Sequence, residues 1–196
     1  LYILTDKYKK SINKRSNRVE LLQNWRNLIV GMWESNCIVS PLTFHKNIRK
    51  IAVTEGLLNF TGFGQNDTQE FLMLLIDSLH DALSREVDIT ISGKVKNDTD
   101  KLALEAMKTW KCHFNDSYSE IVALFYGQYI TTISSLEGEV LSRNFDPFCY
   151  LTVPIPTEKD EIKLIDCFDL FTQDETMDDD NKYQHPKTKE YINVKR

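Results

Sequence analysis

Apolar residues recur at helical spacing through the first part of the chain. The first run predicts an amphipathic helix over about residues 18–33. Its apolar members are Leu21, Leu22, Trp25, Leu28, Ile29 and Met32. Pro41 suits the first position of a second, short helix, which would turn Phe44 and Ile48 inward. After Gly64 a longer run predicts a buried helix of about 18 residues. Its apolar members are Phe71, Leu72, Leu74, Leu75, Ile76, Leu79 and Leu83.

A connector and two more helices follow this long run. Residues 86–100 contain turn-forming residues and are predicted to be exposed. The apolar spacing then predicts a helix over residues 102–110 and a short helix over residues 119–124. The part of the chain before residue 125 is therefore predicted to be mostly helical.

From residue 125 onward, β-branched and aromatic residues replace the helical pattern. Two such runs flank Glu137 and Gly138, which predicts a β-hairpin. The last strand of this region is predicted to end at Pro154 and Pro156, because proline cannot donate to a strand ladder. A short helix is predicted to follow over residues 166–171.

The chain end completes the fold prediction. Asp166 is expected to cap the short helix, which would pack Phe168, Leu170 and Phe171, and the alternation around Tyr191 indicates the start of a strand. Helices that precede antiparallel strands along the chain indicate the α+β class.

The composition of the chain argues against several classes of protein. The chain has 196 residues, 41% of them hydrophobic, so it can bury a core without a metal or a disulfide. Its net charge of −5 argues against nucleic acid, and no apolar run is long enough to span a membrane. The four cysteines form no CxxC pair, which fits free thiols in a reducing compartment. Because the chain begins with Leu1, we expect it to be a fragment.

Four polar side chains, Gln65, Asp67, Gln69 and Glu70, stand at the start of the long helix. Asp67 is a favourable N-cap, and Glu70 lies three positions later, where a capping box places a carboxylate. A capped helix start would explain these two residues without any function. The two glutamines are not needed for capping, and they indicate a binding site.

The same stretch resembles a motif of the ubiquitin-specific proteases, a Gln-x-Asp-x-Gln-Glu-Phe-Leu box at the start of a long helix. The match runs position by position from Gln65 to Leu72. The resemblance implies that Asp67 and Gln69, and less directly Gln65 and Glu70, hold the extended C-terminal tail of ubiquitin. The chemistry suits this role, because an extended peptide offers backbone N–H groups to a carboxylate, and the ubiquitin tail is rich in arginine.

A second resemblance covers the β-rich part. Residues 125–155 are similar to the fingers region of the same family, and residues 166–171 are similar to the helix that follows it. The two resemblances imply a papain-like cysteine protease of the thumb-palm-fingers type, present as a partial domain. Residues 1–124 would form the helical thumb, and residues 125–196 would form part of the fingers and palm.

The family often carries a zinc ion in the fingers, held by two CxxC pairs. At the matching positions this chain has Ser135 and Gly138, then His185 and Thr188. Only His185 could ligate zinc, and one ligand does not hold the ion. We therefore expect no zinc and no other cofactor, with His185 as an exposed loop residue. The fingers would instead be held by packing of apolar side chains, namely Phe145, Phe148, Leu151 and Ile155.

The family mechanism needs a cysteine nucleophile and a histidine base. The family's Asn-x-Cys and Gly-His-Tyr boxes are not present in this sequence. Cys37 follows Asn36 but lies after the helix that it should precede, and Cys112 and His113 are neighbours that would point apart on a helix. Cys149 and Cys167 are predicted to be core thiols. No residue of the chain is therefore predicted to be catalytic.

Three hypotheses remain open on the sequence. The first is a fragment of a deubiquitinating cysteine protease whose intact chain cleaves the (iso)peptide bond after the C-terminal glycine of ubiquitin. The second is a catalytically inactive relative that binds ubiquitin. The third is an unrelated α+β interaction domain. The resemblance implies ubiquitin and ubiquitinated proteins as partners, a monomer, no nucleic acid or membrane, and an intracellular location in the cytoplasm, the nucleus or both.

Overall fold

The computed structural model describes residues 2–34, 38–157 and 161–196. The α-helices are α1 (Val19–Glu34), α2 (Leu42–Glu55), α3 (Thr68–Leu83), α4 (Asp98–Phe114), α5 (Glu120–Phe125) and α6 (Leu164–Phe171). The strands are β1 (Gly127–Ser135), β2 (Val140–Phe148), β3 (Thr176–Met177), β4 (Tyr183–Gln184), β5 (Tyr191–Ile192) and β6 (Val194–Lys195). Within the described part, no helix is both long enough and apolar enough to cross a bilayer. Helices and antiparallel strands together give a mixed α+β architecture.

The chain divides into two compact units. The first contains Leu1–Ser92 and Lys111–Phe125, and the second contains Gly93–Trp110 and Tyr126–Arg196. The division falls inside α4, whose last turn belongs to the first unit. The assignment of residues 1–124 to a thumb and of residues 125–196 to fingers and palm stays a prediction.

The first unit is a layer of helices around one apolar core. Helices α1, α2 and α3 are the amphipathic elements that the apolar spacing predicts, and each turns its stripe into this core. The buried members of the core are Tyr8, Leu21, Leu22, Phe44, Ile48, Ile51, Ala52, Phe60, Leu74, Leu75, Leu79, Ala82, Leu83 and Ile121. The inward positions predicted for Phe44 and Ile48 are confirmed.

Helix α2 is longer than the short helix that the sequence predicts. It begins after Pro41, which stands at the N-cap rather than at the first helical position, and runs for 14 residues. It ends where Gly56 adopts a left-handed conformation with φ of 75°, and the Gly56 N–H bonds back to the last turn. A short 3₁₀ segment, Leu58–Thr61, then leads towards α3.

Backbone hydrogen bonds hold the first residues of the connector that follows α3. Arg85 and Tyr118 exchange two backbone hydrogen bonds of 2.9 Å, and the Val87 N–H donates to the Asn115 carbonyl at 2.9 Å. The described residues 86–96 contain no helix or strand, but the connector predicted to run to residue 100 is shorter, because α4 already begins at Asp98. The Asn97 side chain accepts the Asp100 N–H at 2.8 Å, so these polar residues start the helix instead of forming a turn.

The second unit is built on one long hairpin. Strands β1 and β2 pair antiparallel from Gly127 opposite Phe148 to Ser134 opposite Val140, with an irregularity after Ile133. The described sheet has the order β2-β1-β6-β3, and β4 pairs separately with β5. The Gln128 side chain donates to the Ala106 carbonyl at 3.3 Å and so joins the hairpin to the first part of α4. The hairpin predicted around Glu137 and Gly138 is confirmed.

Three predictions for the second unit are wrong. The strand predicted to end at the prolines does not form: β2 ends at Phe148, and residues 149–156 pair with no strand. Helix α6 begins at Leu164, two residues before the predicted cap, and the Asp166 carboxylate accepts from the Lys163 N–H at 2.8 Å. The residues of α6 expected to pack inward are partly exposed, and the buried residue is Cys167.

The packing predicted to hold the fingers forms only in part. Phe145, Phe148 and Leu151 are half-buried, whereas Ile155 is 69% exposed. The ring of Phe148 lies 5.8 Å from that of Tyr129, which also meets Phe171 edge-on at 6.4 Å. Aromatic contacts along the hairpin, rather than a closed core, therefore stabilise this unit.

Candidate functional site

The candidate site is the loop that enters α3. Asp67 is the N-cap of this helix, and its Oδ1 atom accepts from the Gln69 N–H at 2.7 Å and from the Glu70 N–H at 3.4 Å. Both bonds end on Oδ1, and no donor among the described residues bonds to Oδ2. The side chain is exposed. The cap thus fixes the orientation of a carboxylate whose second oxygen can still accept a hydrogen bond.

Glu70 does not complete the predicted capping box. Its Oε2 atom accepts from the Asn59 amide at 2.9 Å, and no bond joins it to the Asp67 N–H. Glu70 is half-buried and therefore ties the start of α3 to the preceding 3₁₀ segment. Asn59 is a supporting residue that the sequence pattern did not reveal, because the contact joins positions eleven residues apart.

Gln65 and Gln69 present exposed side chains on either side of Asp67. Within the described part of the chain, neither side-chain amide forms a hydrogen bond. An amide offers both a donor and an acceptor, which is what an extended peptide backbone requires. The structure therefore brings the four predicted residues together at one exposed helix start.

Two aromatic side chains pack together at the start of α3. Phe60 is buried below the loop, and its ring lies 6.2 Å from that of Phe71 in the first turn of α3. Phe63, in contrast, is 95% exposed, and the Arg49 guanidinium lies 5.8 Å from the centre of its ring. The apolar pattern of the sequence does not single out this aromatic residue, although its position between two glycines just before the polar box could have indicated it.

A groove of about 650 Å³ runs beside α3 from the site. Four carboxylates line it, and Arg18 is its only basic lining residue. The guanidinium of Arg18 forms an ion pair with Glu55. The lining residues are Asn17, Arg18, Glu55, Leu57, Glu70, Met73, Leu74, Asp77, Ser78 and Asp81. The surroundings of Glu70 are therefore negatively charged.

His80, in the last turn of α3, bonds to two serine hydroxyls of the same unit. Its Nδ1 atom is 2.8 Å from the Ser119 hydroxyl, and its Nε2 atom is 3.2 Å from the Ser117 hydroxyl. Burial lowers the pKa of His80 below its ordinary value, while the charges of Asp77 and Asp81 act in the opposite direction. The ring joins α3 to the segment that leads into α5.

The three described cysteines do not mark a second site. Cys112 and His113 are both exposed and occupy successive positions of α4, so their side chains point in different directions. Cys167 is buried, as predicted for a core thiol, whereas Cys149 is only half-buried. Cys37 lies outside the described residues. The prediction that no residue of this chain is catalytic stays a prediction.

The residues at the family's zinc positions do not fit a zinc ion. Ser135, Gly138 and Thr188 offer no thiolate or imidazole, and the Nδ1 atom of His185 accepts the Thr188 N–H at 3.1 Å. Across the described residues, no three His, Cys, Asp or Glu side chains come together as a metal-binding group. His185 is half-buried in its turn, so the prediction of an exposed side chain is wrong.

Comparison with known proteins shows the family of this chain. A family model described as ubiquitin carboxyl-terminal hydrolase matches residues 2–147, which include the whole polar box. The curated protein ubiquitin carboxyl-terminal hydrolase 15 of Homo sapiens is 32% identical over 165 residues, which cover 81% of this chain and 16% of that protein. Ubiquitin carboxyl-terminal hydrolase 4 of Bos taurus is also 32% identical over 165 residues, with 82% and 17% covered. The chain thus spans only 16% to 17% of the length of these relatives.

Proposed function

Because the chain belongs to the ubiquitin carboxyl-terminal hydrolase family, we propose that it holds the C-terminal tail of ubiquitin within the catalytic domain of a deubiquitinating cysteine protease. In the intact protein this domain hydrolyses the (iso)peptide bond after the C-terminal glycine of ubiquitin. The nucleophile and its histidine lie outside residues 1–196. Gln65, Asp67, Gln69 and Glu70 form the tail-binding site.

The carboxylate of Asp67 is the observation that carries this proposal. One of its oxygens is fixed by two backbone N–H groups of α3, and the other has no donor among the described residues. A carboxylate already fixed in direction loses little freedom when it accepts a backbone N–H or an arginine. The amides of Gln65 and Gln69 would bond to the same extended peptide on either side.

The charge around the site supports the same ligand. The groove that begins at Glu70 carries four carboxylates against one guanidinium, which is itself paired with Glu55. A tail rich in arginine would be attracted to this region, and a like-charged tail would be repelled. The attraction should weaken as salt concentration rises.

The same proposal assigns the two parts of the chain to regions of the family's catalytic domain. Residues 1–124 would form the helical thumb of a papain-like thumb-palm-fingers domain, and residues 125–196 would form part of the fingers and palm. The partners would be ubiquitin and ubiquitinated proteins. We propose a monomer that acts inside the cell, in the cytoplasm, the nucleus or both.

The test is the substitution Asp67→Asn in the intact enzyme. Asparagine is also a favourable N-cap, so the helix should lose only a few tenths of a kcal/mol. A hydrogen bond to a charged group contributes about 1.5–3 kcal/mol, so ubiquitin affinity should fall about tenfold to a hundredfold. Asp116→Asn is the matched control, because it removes one exposed carboxylate of the same unit away from the box.

Two measurements on each variant decide the outcome, namely ubiquitin affinity by titration and the thermal midpoint. A lower midpoint with unchanged affinity of the folded protein would show that Asp67 is a helix cap and nothing more. Equal losses in Asp67→Asn and Asp116→Asn would indicate a general charge effect.

Catalysis has its own test. Purified residues 1–196 should not hydrolyse a ubiquitin C-terminal amide, since we place the nucleophile and base elsewhere. Turnover that is abolished by Cys37→Ala would overturn this placement. If the intact protein also lacks turnover but binds ubiquitin, it is the inactive relative.

A further inference from the structure

The turn at the end of the first hairpin closes on itself. The Ser135 N–H donates to the Glu139 carbonyl at 2.8 Å, and the Gly138 N–H donates to the Ser135 carbonyl at 3.0 Å. The hydroxyl oxygen of Ser135 accepts the Glu139 N–H at 3.1 Å. Gly138 has φ of 93°, a conformation that glycine adopts without steric cost. Two backbone hydrogen bonds and one side-chain hydrogen bond thus close this turn.

The turn between β4 and β5 is one residue longer and is closed by similar hydrogen bonds. The His185 N–H donates to the Glu190 carbonyl at 2.8 Å, and the Lys189 N–H donates to the His185 carbonyl at 3.0 Å. The Nδ1 atom of His185 accepts the Thr188 N–H at 3.1 Å. Lys189 takes the positive φ, at 65°. In both turns, therefore, the first residue supplies a side-chain acceptor to a later backbone N–H.

The hydrogen bond to the Nδ1 atom of His185 also affects whether the ring can bind a metal. An Nδ1 atom that accepts an N–H uses the lone pair that would otherwise bind a metal, and the proton of the neutral ring then lies on Nε2. Ser135 uses its hydroxyl oxygen in the same way. Two of the four residues at the zinc positions thus make the hydrogen bonds that close the turns, and the other two, Gly138 and Thr188, provide backbone donors.

We propose that the two hairpin tips of the second unit are closed by hydrogen bonds instead of a metal ion, with Ser135 and His185 as the closing residues. In a structural zinc site the ion contributes much of the folding free energy, and a chelator removes it. Here the closure is local to each turn. The two tips should therefore loosen independently, each when its own closing residue is replaced.

The test uses the complete chain and compares His185→Ala with Ser135→Ala by amide hydrogen exchange at one fixed pH. A single hydrogen bond contributes about 0.5–1.5 kcal/mol, so the amide released should exchange about twofold to tenfold faster. His185→Ala should accelerate Thr188 and leave Glu139 unchanged, and Ser135→Ala should do the reverse. His45→Ala, an exposed histidine of the first unit, should change neither amide.

Metal content is measured on the same preparations after refolding with excess zinc. The expected result is far less than one zinc per chain, with the same thermal midpoint before and after a chelator. Stoichiometric zinc, or a midpoint that falls with the chelator, would overturn the proposal. It would also be overturned if His185→Ala left the exchange of Thr188 unchanged, or if either substitution accelerated both turns together. None of these outcomes depends on ubiquitin binding, so failure here leaves the proposed function separately testable.

Discussion

The two units of this chain reach their folds in different ways. Among the described residues, all buried apolar side chains except Cys167 and Val194 lie in the first unit. The second unit instead has half-buried strands and an α6 whose apolar residues are largely exposed. The first unit is therefore stabilised mainly by apolar burial, and the second mainly by backbone pairing and aromatic contacts.

The difference affects how each unit tolerates change. When a side chain in a close-packed core is shortened, its neighbours move only partly into the cavity that is left. Substitutions inside the core therefore cost much of the free energy of unfolding. A paired hairpin depends more on its backbone geometry and on the few side chains that meet across it. The candidate site lies on the better packed unit, which suits a site that must hold a carboxylate in one direction.

The largest effect is expected when the same leucine truncation is made in each unit. Leu22 is 0% exposed, and Leu22→Ala should lower the free energy of unfolding by about 2–5 kcal/mol. Leu170 is 38% exposed, and Leu170→Ala should cost only about 1 kcal/mol. Urea unfolding of both variants measures the contrast. Equal losses would show that the second unit packs around α6 as tightly as the first unit packs around α1.

A smaller loss of unfolding free energy is expected when a side chain is added at Gly127, which lies close to the Phe148 ring. A Cβ atom at Gly127 would lie 2.7 Å from the end of the Phe148 ring, which is held against Tyr129. Gly127→Ala should therefore displace the ring and lower the free energy of unfolding by about 1–3 kcal/mol. At Gly64 an added Cβ meets nothing within 4 Å, so Gly64→Ala is the control and should change little. No difference between the two variants would mean that the ring moves aside without cost.

The smallest effect is a pH dependence that the first unit should show through His80. Its pKa is lowered in the folded state by burial, so the unfolded chain binds this proton more readily. The stabilisation from the neutral ring is present above the ordinary pKa of 6.5 and is lost as pH falls through the lower, folded value. The groups that act on the ring include the hydroxyls of Ser117 and Ser119 and the charges of Asp77 and Asp81.

Thermal midpoints between about pH 7 and pH 5 test this dependence. His80→Gln keeps a side chain that can donate and accept but does not titrate, so its midpoint should fall less with acid than that of the parent chain. His45→Gln, at an exposed position, should behave like the parent. If the thermal midpoints of His80→Gln and of the parent chain fall equally as the pH is lowered, groups other than His80 cause the acid sensitivity.

The sequence alone predicted the elements whose causes are local. Helix α1 lies within one residue of its predicted range, and the cap at Asp67 forms as its residue type predicts. The turn at Gly138 also follows from its own residues. Apolar periodicity, capping and turn chemistry act over a few residues, so each is visible in the chain as written. That the polar box belongs to a binding site stays a prediction, which rests on the two glutamines and on the resemblance to a family motif.

The tertiary structure decided what depends on distant neighbours. Glu70 was expected to close a capping box, yet its carboxylate accepts from the Asn59 amide. The fold places the 3₁₀ segment that contains Asn59 beside the start of α3. Helix α6 has the apolar residues of a packed helix but remains partly exposed, since burial requires a partner surface that periodicity does not specify. The ring of His185 accepts an N–H of its own turn, because the backbone between β4 and β5 presents that donor. Local pattern determined which segments are helices and turns, whereas packing determined which side chain meets which.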